Sequence, residues 1–149
     1  VEGLESGTLF GIVQFSQGVR MFSEFLVPAI SKNKKSVSTW VRENLKGNPP
    51  IDSESIYFGH EAAFESAFQL EPDIVFLVTD GVLNRRTVSS GKTMYPVISY
   101  RTLDQFIERL SRDLLKKPHV HVIGFEMATS NSEDMRKLTR KFGGQLREF

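Results

Sequence analysis

Asp80 is the residue whose placement most invites chemistry. It follows directly on the apolar run Ile74-Val75-Phe76-Leu77-Val78, closed by Thr79-Asp80-Gly81. A carboxylate there sits at the carboxyl edge of a sheet, where open α/β sheets gather their ligands. It can hold an oxygen-seeking cation, act as a nucleophile or acid–base group, or only form a turn, since Asp-Gly is favoured after strands. Other groups are weaker. Ser89-Ser90-Gly91-Lys92-Thr93 imitates the end of a phosphate-binding loop, but Arg86 stands where that pattern needs a glycine. A flexible polar loop is expected instead. His119 and His121 alternate on one face of a strand, at the end away from Asp80, and read as structural or surface histidines. His60 is the one histidine near the presumed site, expected to cap a helix or meet solvent. No Ser-His-Asp order, paired-carboxylate motif or glycine-rich nucleotide loop is found, so no reaction is identified.

The bulk properties narrow the setting. The chain has 149 residues, 40% hydrophobic and 25% charged, enough for one domain with a real core. Nineteen basic and eighteen acidic residues leave +1, which gives no electrostatic reason to expect nucleic acid or an anionic membrane as partner. The absence of cysteine excludes disulfides and thiolate metal sites within this sequence and fits every compartment. The longest apolar run is far too short to span a bilayer.

The elements that must position Asp80 follow from periodicity and punctuation. Thr8–Phe15 and Val19–Phe25 read as two strands of a hairpin around Gly18. A helix capped by Ser36 or Ser38 carries Val37, Trp40, Val41 and Leu45 on one face and ends at Gly47, with Lys32, Lys34 and Lys35 in a polar loop before it. His60–Leu70 forms a second helix with Ala63, Phe64, Ala67 and Phe68 on one stripe. The run 74–79 has no polar alternation, as a central parallel strand covered on both faces requires. Residues 82–100 have no clear period. Thr102-Leu103-Asp104-Gln105 is a capping box opening a helix with Leu103, Phe106, Ile107, Leu110 and Leu114 inward. His119–Phe125 is the next strand. Ser130-Asn131-Ser132-Glu133 is a second capping box, before a helix carrying Met135, Leu138 and Phe142 and stopped by Gly143-Gly144. Gln145–Phe149 leaves room for a final strand. Alternation of strand and helix from His60 onward predicts a mostly parallel, doubly wound α/β sheet flanked by helices, with one antiparallel edge strand.

Four segments in this order resemble the von Willebrand factor type A domain. They are Phe10–Phe25, the helix 61–70 leading into Pro72–Gly81, His119–Phe125, and Met135–Phe149. The resemblance implies a Rossmann-like fold and reversible, non-enzymatic protein binding through a metal-ion-dependent adhesion site. In that family three loops build the site, supplying Asp-x-Ser-x-Ser, a Thr and an Asp. Such oxygen ligands suit Mg²⁺, or Mn²⁺ or Ca²⁺ in its place, with one position open for a partner's carboxylate. Asp80 stands where the third-loop aspartate stands. No Asp-x-Ser-x-Ser occurs in the sequence, and Val1-Glu2-Gly3-Leu4 resembles the end of the helix that follows it. The expectation is a single domain over 1–149 that lacks its first strand and most of its first helix. The loop 53–60 carries no threonine, a departure from the family; Ser55 could serve only if the loop bends differently, and His60 would offer a nitrogen where Mg²⁺ prefers oxygen.

The resemblance thus implies a degenerate or incomplete adhesion site. Asp80 and, more weakly, Ser55 are its metal candidates, and Ser16, Gln17, Tyr57, His60, Asn84 and Arg85 are its partner-binding surface. The partner is a protein, with no nucleic acid and no membrane contact by this segment, although such domains often belong to anchored or exported proteins. The rival reading is an enzyme or a receiver-like phospho-relay domain using Asp80. The acceptor of a receiver would stand at Val78, two residues earlier and on the same sheet face.

Overall fold

Residues 1–51, 56–85 and 87–149 are described by a computed structural model, and the chain divides into two units, Val1–Leu70 and Glu71–Phe149. In the first, the expected strand 8–15 is broken at Gly11-Ile12. Its start, β1 (Leu9–Phe10), pairs antiparallel with β4 (Val27–Pro28), and its end, β2 (Val13–Phe15), pairs antiparallel with β3 (Val19–Met21). The β2–β3 turn depends on Gly18, because a Cβ there would collide with the backbone carbonyl of Pro50. Helix α1 spans Ser31–Asn44 and thus begins well before the expected serine caps. Ser38 lies inside it and returns its hydroxyl to Lys34 O at 3.0 Å. The three lysines expected in a loop belong to the helix. Lysine is a good helix former, and Lys34 Nζ bonds the carbonyls of Glu2 and Leu4. Val37 of α1 is buried with Phe10 and Ala29, and Leu4, Ile12, Phe22, Val27 and Val41 pack around them. Phe22 stacks on Phe10 at 6.4 Å and meets the edge of Trp40 at 5.8 Å. Helix α2 (His60–Gln69) packs on β2 and β3 and buries Phe64 and Phe68.

The second unit is a parallel sheet of three strands. Its order is β5 (Ile74–Thr79), β8 (His119–Gly124) and β9 (Leu146–Glu148), with Ile74 opposite His119 and Val122 opposite Leu146. Helix α3 (Tyr100–Ser111) connects the first pair and α4 (Thr129–Lys141) the second. Both crossovers step in the same direction, so right-handed connections place both helices over one face. On that face Leu77, Thr79, Val120 and Val122 are buried. Leu103, Phe106 and Ile107 of α3 and Met135 and Leu138 of α4 complete the apolar set. The helices are also joined by Lys141 Nζ, 2.8 Å from Asp104 and 3.4 Å from Glu108, which raises the lysine pKa, mainly through the Asp104 hydrogen bond.

The opposite face departs from expectation. Ile74, Phe76 and Val78 are 50%, 64% and 53% exposed, and Phe76 stacks on His121 at 5.1 Å. The run lacks polar alternation, yet only one of its faces is covered and it lies at the edge of the described sheet.

Two helix starts also differ. Ser99, not Thr102, caps α3 by accepting Thr102 N, and α4 starts at Thr129 after Ala128, which makes no side-chain cap. The segment without period, read as a flexible loop around Ser89–Thr93, is a hairpin of β6 (Thr87–Ser89) and β7 (Lys92–Met94).

Candidate functional site

Thr79 ends β5 with its side chain buried and its hydroxyl accepting Gly81 N at 3.0 Å. Its carbonyl accepts Phe125 N at 3.1 Å, which ties the turn to the end of β8. Asp80 is exposed, and its Oδ1 accepts Val82 N at 2.9 Å. The turn-forming role and the exposed-carboxylate role therefore coexist, because a carboxylate that accepts one hydrogen bond keeps further lone pairs for a ligand. Gly81 has φ +77, and a Cβ on it would lie 2.7 Å from Met127 Cε and 2.8 Å from Asn131 Cβ. The first turn of α4 thus stands directly beside the Asp80 turn.

The rim beyond is apolar. Phe125 and Phe149 stack at 5.7 Å, both exposed, and Phe149 N bonds Gly124 O at 3.0 Å. Below them Glu148 accepts hydrogen bonds from Ser132 Oγ and from Arg136 at 2.8 Å. These two partners hold its pKa below the usual carboxylate value, Ser132 contributing most. Glu148 is thereby spoken for as a latch between β9 and α4.

Asn84 and Arg85 lie in the segment leaving the turn. Asn84 bridges Val97 and Arg85 N bonds Pro96 O at 3.0 Å. Asp80, Asn84 and Arg85 therefore belong to one short stretch of the second unit. The other predicted surface residues belong to the first. Ser16 is exposed in the β2–β3 turn, and Gln17 is half-buried with its carbonyl accepting Gly59 N at 3.2 Å. Tyr57 is half-buried. His60, expected at the surface, is buried with its ring edge-on to Phe15 at 5.0 Å. Gly59 at φ +61 turns the chain so that the first residue of α2 faces the β2–β3 hairpin. Ser55 lies outside the described residues.

Among the described residues no three His, Cys, Asp or Glu side chains converge, and Asp80 brings one carboxylate where Mg²⁺ takes six oxygens and Ca²⁺ six to eight. In the sequence Asn131 reads only as part of a helix cap, with nothing to place it at this turn. The signal available was the glycine at 81, which marks a close approach without naming its neighbour.

The sequence matches no protein-family model and no curated protein.

Proposed function

We propose that this chain is a non-enzymatic protein-binding domain of the von Willebrand factor type A kind, its adhesion site degenerate and centred on Asp80. The observation that carries the reading is Asp80 itself, exposed in an aspartate turn at the carboxyl end of a parallel strand, beside the start of the helix after the next strand. The parallel strands β5, β8 and β9, connected through α3 and α4, are compatible with a part of such a fold. In this reading Asp80 meets a partner directly, as a hydrogen-bond or ion-pair acceptor, and Mg²⁺, Mn²⁺ or Ca²⁺ is not required.

The test pairs calorimetry with chemical labelling on wild type and Asp80→Ala. Titration with Mg²⁺ and with Mn²⁺ is expected to give no saturable heat in either protein, and acetyl phosphate is expected to leave Asp80 unlabelled. Saturable heat lost in Asp80→Ala overturns the degenerate site in favour of a working metal site. An acyl phosphate on Asp80 overturns the binding-domain reading in favour of phospho-relay.

A further inference from the structure

The hairpin between β5 and α3 is longer than its two short strands. Thr87 pairs with Met94 and Ser89 with Lys92, and the bridge from Asn84 to Val97 keeps the same register. The bond from Ile98 N to Leu83 O, 2.7 Å, extends it to the base, where Leu83 is buried. One arm therefore runs out from Leu83 and Ile98 to a tip at Ser90-Gly91. Both tip residues have positive φ, 51 and 74, as the tight mirror-image turns of two-residue hairpins require.

Side chains alternate along such an arm, so Val88, Tyr95 and Val97 fall on one face with Thr93. They are 63%, 45% and 72% exposed. Contiguous apolar side chains on a projecting hairpin mark an interaction surface rather than a core. The charge of the same stretch is one-sided. Between Leu83 and Ile98 the sequence holds Arg85, Arg86 and Lys92 and no acidic residue, in a protein whose net charge is only +1. These three cations are thus a local excess in the sequence of the arm, and a complementary partner is acidic.

We infer that this hairpin is a docking arm for an acidic, extended protein segment, which adds as a strand to the hairpin's edge and lays alternate apolar side chains on Val88, Tyr95 and Val97. Strand addition uses the main chain for affinity and alternate side chains for selection, which suits a two-stranded arm carrying an apolar stripe on one face. An anionic lipid surface shares the charge but makes no use of a strand edge. The inference shares Arg85 with the surface around Asp80 but does not use the Asp80 carboxylate, and it stands independently of that group.

The test is fluorescence anisotropy with a labelled peptide of about ten residues alternating Glu and Val, beside its Lys-Val counterpart and phosphatidylserine–phosphatidylcholine vesicles. The Glu-Val peptide is expected to bind saturably and to weaken severalfold from about 0.05 M to about 0.3 M salt, as the Debye length falls by more than half. Val88→Ser combined with Val97→Ser, on the solvent face of the arm, is expected to weaken it about tenfold, a loss of about 1.4 kcal/mol. Lys92→Glu is expected to weaken it severalfold, and Asp80→Ala to leave it unchanged. Circular dichroism confirms that each variant is folded. Equal binding of both peptides, binding to vesicles alone, or no saturable binding of the Glu-Val peptide overturns the inference. Loss of peptide binding in Asp80→Ala would instead join the arm to the Asp80 site and overturn its independence.

Discussion

Gly81 and Asn131 are neighbours across the top of the parallel sheet: a Cβ on the glycine would stand 2.8 Å from the asparagine Cβ. The turn after β5 and the first turn of α4 thus fix each other's position. Gly81→Ala combines this clash with a φ of +77 and is expected to destabilise the second unit by about 1–3 kcal/mol. Urea unfolding measures it. An unchanged midpoint would mean that the turn does not set this spacing.

Asp80→Ala is expected to lower stability only modestly. It removes one exposed side-chain acceptor from Val82 N, 2.9 Å away, at a cost of about 0.5–1.5 kcal/mol. Thermal melts of the two proteins check this, and a much larger loss would make Asp80 chiefly structural.

The two faces of β5 should respond oppositely to truncation. Leu77→Ala empties a buried position and is expected to cost about 2–5 kcal/mol, whereas Phe76→Ala, at the exposed face, costs under about 1 kcal/mol. Equal losses in urea titrations of the two variants would show that the second face is covered in solution.

Tyr100 provides the alkaline test. Burial above all, and then the Asp104 carboxylate with its 3.4 Å hydrogen bond and Asp134, push its pKa up to about 12 from 10.0. The folded state therefore holds this proton more tightly than the unfolded chain. The associated stability is full below pH 10.0 and is lost as pH rises through about 12. Tyrosinate absorbance should show one late-titrating group, and Asp104→Asn should bring it back toward the ordinary value.

Glu148 provides the acid counterpart. Its lowered pKa means that the Ser132 and Arg136 latch contributes above the ordinary value of 4.5 and fades as pH falls through the depressed one. Glu148→Gln is expected to flatten the acid limb of stability against pH, measured by urea midpoints. An unaltered limb would place the acid sensitivity elsewhere.

The parts of the fold legible in sequence were those with a one-residue cause. The strand 74–79, the helix from His60 and the stop at Gly143, with φ +65, stand where apolar runs and glycines placed them. Helix starts were harder because several residues compete to cap. Ser99 and Thr102 lie 3.0 Å apart by their hydroxyls, and only the backbone decides which one precedes the first turn. The hairpin was missed because Thr87-Val88-Ser89 and Lys92-Thr93-Met94 carry little apolar alternation, although Ser90-Gly91 between them is a turn pair. At the candidate site, Asp80 was readable from its strand. The burial of His60 was not, since it depends on the left-handed backbone of Gly59 and on Phe15, far away in sequence.

The bare side of β5 bears on how the protein behaves in a tube. A net charge of +1 gives copies almost no mutual repulsion, so colloidal stability falls to whatever the exposed apolar strand allows. The apparent mass from light scattering should therefore rise with concentration even near neutral pH, and Phe76→Lys should suppress that rise by making the strand unattractive as a template for its own kind.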